Sequence, residues 1–512
     1  MFSEDFNRFI CFLFRPSRFV GDLSNLENRL RDQERLRKKI ERASIPPFVV
    51  PIAHQQIVHI TDMTKFAWKG YKEYAWGFNE LRPVSQTSHS PLIFGSGKTG
   101  ATIVDAIDTF YIMNLMDEYN EAYNWIRDEF DLRKTNGDIS VFETNIRFIG
   151  GLLAAYALTN DEMFKQKARE VADLILPAFT TPTGIPFSVI NVKTSEAHNW
   201  GWASGGCSIL SEFGSLQLEF NYLTRITNNS TYSDKVTRIS EVLSSLEKPD
   251  GLYPNYLNPK TGKWGQKHVS IGALGDSFYE YLLKSWLISN KLDSKYKVIY
   301  DDAMDAIKTK LLKYSEQSHL AYFIELKGNR VEHKMDHLAC FVAGLLALEA
   351  LNESDEQKRF NITTLAEEIG NTCHESYIRT GTNIGPESFR FSSDVEAMAI
   401  FQNEKYYILR PEAIEGWFYL WRLTHNQKYR DWCWDAALSI EKYCRTLSGY
   451  SGIKDVYTTK VDLDDVQQSF LFAETFKYLF LVFSSDETIS LNKWVFNTEA
   501  HPLPVFTTDF KL

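Results

Sequence analysis

The chain has 512 residues, 44% of them hydrophobic, enough for one large core or about three ordinary domains. With 56 Lys and Arg against 66 Asp and Glu, the formal charge is -10, which argues against nucleic acid or anionic lipid as the main partner. Aromatic residues make up 14%, a fraction suited either to a thick helical core or to faces that stack on sugar rings.

The first twenty residues contain the apolar run Phe9 to Phe14, stopped by Arg15. That run is far short of the roughly 20 residues that span a bilayer, and no cleavage-type signal peptide is evident. Residues Asn25 to Ala43 are charge-dense with a thin seam of Leu26, Leu30 and Leu36, which reads as a solvated stem or arm. The expected organisation is an N-terminal arm over 1–60 and one folded domain over 61–512.

From Thr61 onward, helical patterns come in pairs, an apolar first member followed by a more charged second. The expected pairs are 103–117 with 120–130, 144–158 with 161–175, 207–227 with 231–246, 276–290 with 295–314, 336–351 with 357–378, and 411–425 with 427–446. A last helix over 465–483 needs the one near 61–75 as its partner. Such a repeat predicts a mainly α fold built as a solenoid or closed toroid. First members such as Gly150-Gly151-Leu152-Leu153-Ala154-Ala155 are apolar all round, as an inner ring requires. Short strands are expected in the connections, at Val189–Val192 and Ala321–Leu326.

Of six cysteines, none forms CxxC or stands at zinc-ligand spacing from a histidine, which argues against a zinc site. Cys433 and Cys444 lie about 16 Å apart along one predicted helix and cannot pair. Cys340 and Cys373 fall on successive helices and can. Sequons at Asn228, Asn229, Asn352 and Asn361 agree with a secretory lumen. Gly95-Ser96-Gly97-Lys98-Thr99-Gly100 is not a phosphate loop, because Leu92 stands where the first glycine is needed. Asp462-Leu463-Asp464-Asp465 reads as a solvated helix start.

The chemistry-bearing pattern is acidic. Glu143, Asp276 and Glu412 each sit at the start of a predicted helix and Glu474 within one, all amid aromatics, and Pro411 before Glu412 suits a first helical turn. Any one of them is ordinarily a carboxylate favoured by a helix dipole. Glu143 with Arg147, and Asp276 with Glu280, are i,i+4 pairs; Glu412 with Glu415 is i,i+3. The acidic pairs repel unless a cation, a shared proton or sugar hydroxyls offset them. Converging at one mouth, these carboxylates have the composition a glycosidase requires.

Several longer segments sharpen this: Tyr74-Ala75-Trp76-Gly77, Gly100 to Thr109, Lys334-Met335-Asp336-His337-Leu338, Gln402 to Glu412, and Phe496 to Pro502. Through them the chain, from about Phe66 to Val505, resembles glycoside hydrolase family 47, the class I α-1,2-mannosidases that trim N-linked high-mannose glycans, and its Golgi members in particular. The resemblance implies an (α/α)7 barrel plugged by a C-terminal β-hairpin, and an inverting, calcium-dependent hydrolase taking Man9 towards Man5. It implies a proton donor at Glu143, further catalytic acids at Asp276, Glu387 and Glu412, and calcium held by Thr498, with Glu474 and Glu499 around it. Which of Asp276 and Glu412 activates water stays open. Arg147, Glu280, His337, Arg410, Glu415 and Phe470 match positions lining the sugar pocket, and Cys340 and Cys373 match a family disulfide. Leu274 stands where endoplasmic-reticulum members carry arginine and Golgi members leucine, so a Golgi enzyme acting on glycoproteins is expected. Golgi members are membrane-anchored, whereas the apolar run found here is too short to span. The alternatives are a mannose-binding module without turnover, and a terpenoid cyclase, which the carboxylate-rich helix starts contradict.

Overall fold

A computed structural model describes residues 52–506. Most of the expected arm, with Cys11, lies outside the described residues, and positions 52–60 already belong to the first helix. None of the helices described is long and apolar enough to cross a membrane.

Fourteen longer helices form seven pairs. They are α1 (Ile52–Tyr74), α2 (Ala101–Ile112), α3 (Met116–Asp128), α4 (Gly150–Thr159), α5 (Glu162–Ile175), α6 (Gln217–Thr227) and α7 (Thr231–Ser245). Then follow α8 (Asp276–Ile288), α9 (Ser294–Leu311), α10 (Phe341–Asn352), α11 (Glu356–Ile378), α12 (Glu412–Thr424), α13 (Gln427–Tyr443) and α14 (Phe476–Phe483). The even-numbered helices contact one another in succession, and a π-turn at Leu471–Thr475, leading into α14, packs on α2 and closes the inner ring. The odd-numbered helices cover it. On α5 only Phe164, Ala168, Val171, Ala172 and Ile175 are buried, one stripe of a surface helix. On α10 everything from Phe341 to Ala350 is buried, as expected of a helix flanked on both sides. Helix α1 fills the last outer place, its His59 ring against Trp434 of α13 and its Lys72 on Glu121 of α3.

Turns within pairs are short for a local reason. Asn160 and His425 end inner helices in left-handed backbone, and the next residues, Asp161 and Asn426, cap the outer helices by accepting from Met163 N and Lys428 N. Inner helices approach closely where side chains are smallest. A Cβ on Gly344 of α10 would lie 2.8 Å from Tyr419 of α12, and one on Gly151 would lie 2.7 Å from the Val104 carbonyl of α2.

Three expected helix starts are corrected. Residues 465–469 are not helical, and Asp462–Asp465 is a loop. Asp464 Oδ1 accepts from Val466 N, a local alternative to helix, and from Ser451 Oγ, while Asp465 Oδ1 accepts from the distant Val84 N and Ser85 N. The segment 207–227 breaks into a short strand, one helical turn (Leu210–Phe213) and α6, and Lys334–Asp336 pairs as a strand with Ser388–Arg390 before α10. The expected strands are present at Val189–Asn191 and Ala321–Phe323. Cys340 and Cys373 are bonded, whereas Cys207, Cys433 and Cys444 are free and buried.

The C-terminal hairpin pairs Trp494–Phe496 antiparallel with Pro502–Pro504 and plugs the ring. Its turn is bound by buried polar groups. Asn497 Nδ2 donates to the Ile146 carbonyl and to Glu219, and its Oδ1 accepts from Glu499 N and His501 N. Lys477 Nζ donates to Asp108 at 2.7 Å and to the Ala500 carbonyl at 2.6 Å, and His501 Nδ1 lies 3.1 Å from the same aspartate. Lys477, Asp108 and His501 are all inaccessible to solvent. Lys477→Met would leave Asp108 buried without its ammonium partner. A loss of about 3–5 kcal/mol is expected, read from denaturant unfolding.

Candidate active site

The connections deliver side chains to one end of the ring. Ser140 Oγ accepts from Glu143 N, starting a single helical turn that runs into a π-turn at Thr144–Ile149 before α4. The wide turn brings Arg147 beneath Glu143: Arg147 Nε donates to Glu143 Oε2 at 2.7 Å, and Nη1 reaches Asp105 Oδ2 at 3.3 Å and Ser469 Oγ at 3.2 Å, with Glu499 in close contact. A second π-turn, Leu471–Thr475, carries Glu474. Single π-turns inside helices recur at functional sites, and here both lie beside the cavity. Asp276 and Glu412 are the first residues of α8 and α12.

These residues surround one cavity of about 330 Å³. Glu143, Arg147, Leu274, Asp276, Glu280, Arg410, Glu412, Glu415, Phe470, Glu474, Thr498 and Glu499 all line it, so the sequence-expected residues converge from separate hairpins. Two stand differently. His337 is fully enclosed, its Nδ1 2.8 Å from Glu412 Oε2 and its Nε2 2.7 Å from the Tyr377 hydroxyl. The expectation that it lines the sugar pocket is therefore corrected: its ring nitrogens are spent on orienting Glu412. Glu387 accepts the Arg410 fork through both oxygens, at 2.6 and 2.7 Å, and stands behind Arg410 instead of on the cavity wall.

Phe142, Trp202 and Glu212 also line the cavity and were missed from sequence. Glu212 sits in Leu210-Ser211-Glu212-Phe213, an acid amid apolar residues at a helical turn, the same signal that marked the others. Its Oε1 accepts from Trp200 Nε1 at 2.8 Å, and burial pushes its carboxyl up to about 7.

The carboxyls differ in proton affinity. Burial, with the charges of Asp336, Glu280 and Glu412, raises Asp276 to about 8 against the pull of the Ser277 amide. Burial acts upward on Glu412 too, but the His337 hydrogen bond and the Arg410 charge outweigh it and hold Glu412 below the ordinary carboxylate range. Glu415, Glu474 and Glu499 are pushed well up by burial and neighbouring acids, in spite of Lys284 near Glu415 and Arg147 near the other two. Thus Asp276 keeps a proton at neutral pH while Glu412 stays ionised, and environment alone separates them.

A calcium ion fits this donor set. Thr498 lies at the tip of the hairpin turn and lines the cavity with Glu415, Glu474 and Glu499, whose proton affinities are raised first by burial and then by the negative charge of neighbouring acids. Among the described residues no three His, Cys, Asp or Glu side chains gather closely enough to hold an ion between them. Thr498, with the carboxyls around it, would hold such an ion through oxygen alone, a donor chemistry suited to a hard cation.

The chain is 57% identical over 447 residues to the mannosyl-oligosaccharide α-1,2-mannosidase IA of Drosophila melanogaster, covering 87% of this chain and 67% of that one. It is 56% identical over 446 residues to the human mannosyl-oligosaccharide 1,2-α-mannosidase IB, covering 87% and 69%. Among solved structures, the α-1,2-mannosidase from Trichoderma reesei superposes with a TM-score of 0.80 at 28% identity, over 88% of this chain and 99% of that one. Its likeness agrees with the seven-pair (α/α)7 barrel. Residues 63–505 match the model of glycosyl hydrolase family 47, and the chain belongs to that family of glycoside hydrolases.

Proposed function

We propose that the chain is a calcium-dependent, inverting α-1,2-mannosidase that removes terminal α-1,2-linked mannose from high-mannose N-glycans, from Man9 towards Man5, on glycoproteins passing through the Golgi. The observation that carries this reading is the single cavity in which carboxyls from separate hairpins meet with unequal proton affinities. The relatives named above act on mannosyl-oligosaccharides, which supplies the substrate class. Leu274 on the cavity wall, in place of arginine, is the basis for the Golgi assignment.

Inversion needs an acid and a base on opposite faces of the sugar, with room for water between them. Glu412, ionised and held by His337, receives the proton of the attacking water. Asp276 stands near it, and its neutral carboxyl can donate a hydrogen bond without adding charge. Glu143 delivers the proton to the leaving oxygen, and Glu212 near it, raised to about 7 and so partly protonated at neutral pH, can resupply that proton. Arg147 and Arg410 hold their neighbouring carboxylates in place, Arg410 through Glu387, and Phe470 offers an apolar face to the ring. When bound at Thr498, calcium supplies a hard cation for sugar hydroxyls and offsets the surrounding negative charge.

Purified protein incubated with a Man9 oligosaccharide should lose mannose in calcium, stop with chelator and resume on re-addition, as followed by mass spectrometry. Unchanged glycan in every arm, with binding retained, would instead identify a mannose-binding module. Proton NMR of the first product should show β-mannose; α-mannose rules out inversion. Glu412→Gln should lower kcat by about 10²–10⁴-fold, the usual contribution of a general base. In chelator-stripped protein, the infrared band of a protonated carboxyl should fade as pH rises through about 8, and Asp276→Asn should lack that transition.

A further inference from the structure

Three residues beside the cavity hold left-handed backbone although none is glycine: Leu274 at φ 75°, Leu409 at 68° and Ala500 at 57°. An L side chain is crowded in that region, and a leucine especially so, so such residues persist only where their surroundings over-determine them. Each adjoins site residues. Leu274 precedes Asp276 by two positions, Leu409 directly precedes Arg410, and Ala500 directly follows Glu499.

In all three the carbonyl is fastened by another element. Leu274 O accepts from Ser211 N at 3.0 Å, Leu409 O from Thr475 Oγ1 at 2.7 Å, and Ala500 O from Lys477 Nζ at 2.6 Å. Two of these donors, Thr475 and Lys477, follow Glu474 across the junction of the second π-turn with α14. Both are fully buried, and neither lines the cavity.

Thr475, like Thr109 and Thr372, whose hydroxyls donate to the Phe472 and Ala321 carbonyls, spends its hydroxyl on another element, which is not what most helical threonines here do. Thr61, Thr64, Thr159, Thr227, Thr364 and Thr424 each donate to the carbonyl four residues back, the local solution open to any helical hydroxyl. Thr475 closes the π-turn, and its hydroxyl leaves the helix to meet Leu409. Without that donor the Leu409 carbonyl would be buried and unpaired, and rotation towards negative φ would be the way to relieve both faults. The residues swung by that rotation are Arg410 and Glu412.

We propose that Thr475 is a positioning residue: through the Leu409 carbonyl it holds the left-handed turn that delivers Arg410 and Glu412 to the cavity. It does so in register with Glu474 on its own turn and, by way of Lys477, with the hairpin turn bearing Thr498. What Glu412 then does rests on the function proposed above. Misplacement of a reacting group by about 1 Å can cost about a hundredfold in rate, so a clamp one residue from Arg410 should be visible in kcat.

The test compares the wild type with Thr475→Val, which keeps the shape and removes the donor, with Thr475→Ala as a second donor-free variant, and with Thr475→Ser, which restores the hydroxyl. All are assayed in excess calcium on an oligosaccharide ending in α-1,2-linked mannose, after thermal unfolding has established that each is folded at the assay temperature. Expected is a fall in kcat of about ten- to a hundredfold for the donor-free variants, a KM changed much less, and recovery to within a few-fold of wild type for Thr475→Ser. Wild-type kcat in Thr475→Val, or Thr475→Ser as slow as Thr475→Val, overturns the proposal. Should the wild type itself show no turnover, the reading of the reaction falls, and the clamp is judged on a crystal structure of Thr475→Val. Leu409 still left-handed with Glu412 unmoved would overturn it; a rotated Leu409 would sustain it.

Discussion

The constraint on which this molecule turns is negative charge confined in a poorly solvated space. Glu280, Glu415, Glu474 and Glu499 line one cavity and are nearly enclosed. Like charges in a low dielectric repel strongly, and a buried carboxylate without a partner is expensive. Part of that cost is met by cations from the chain itself. Arg147 lies among Glu143, Asp105 and Glu499, Arg410 joins Glu387 and Glu412, and Lys284 pairs with Glu280 inside the ring. The remainder is left as proton affinity in Glu415, Glu474 and Glu499.

The barrel supplies what the charges need, a rigid frame with many independent entry points. The turns leading into α4, α6 and α14 and the first residues of α8, α10 and α12 line the same cavity, so acids far apart in sequence arrive from different directions without sharing a flexible loop. The frame is rigid because its inner helices meet at glycine contacts and because the hairpin is tied down by Asn497 and Lys477. Rigidity also separates roles. His337 and Tyr377 form a fixed relay behind Glu412, whereas Asp276 faces other acids, and two carboxyls of like chemistry end in opposite protonation states.

Much of this was legible in the amino-acid order because helix pairing is a local property. The period of apolar residues located all seven helix pairs, though it began the helices now seen as α6 and α14 too early and α1 too late, and the acid-amid-aromatics signal found Glu143, Asp276, Glu412 and Glu474. What periodicity cannot register is a change of backbone that keeps an apolar pattern. The π-turns at Thr144–Ile149 and Leu471–Thr475, and the extended stretch before Phe470, read as plain helix. Burial depth was equally invisible: the resemblance implied a pocket residue at His337 and a catalytic acid at Glu387, and only the fold reveals which side of Glu412 or Arg410 each occupies. Glu212 carried the same signal as its neighbours and was overlooked because the segment around it was taken for one continuous helix.

The Cys340–Cys373 bond ties the start of α10 to the middle of α11 across 33 residues, and it has a bearing on chemistry as well as on cohesion. Cys340 closes the short 3₁₀ turn Leu338–Cys340 that begins just after His337, and its amide donates to the His337 carbonyl. Oxidation state thus reaches Glu412 through only two intermediaries. In a thiol-rich compartment this chain would lose part of the scaffold that orients Glu412, and an oxidising environment is where a sulfur cross-link of this kind endures.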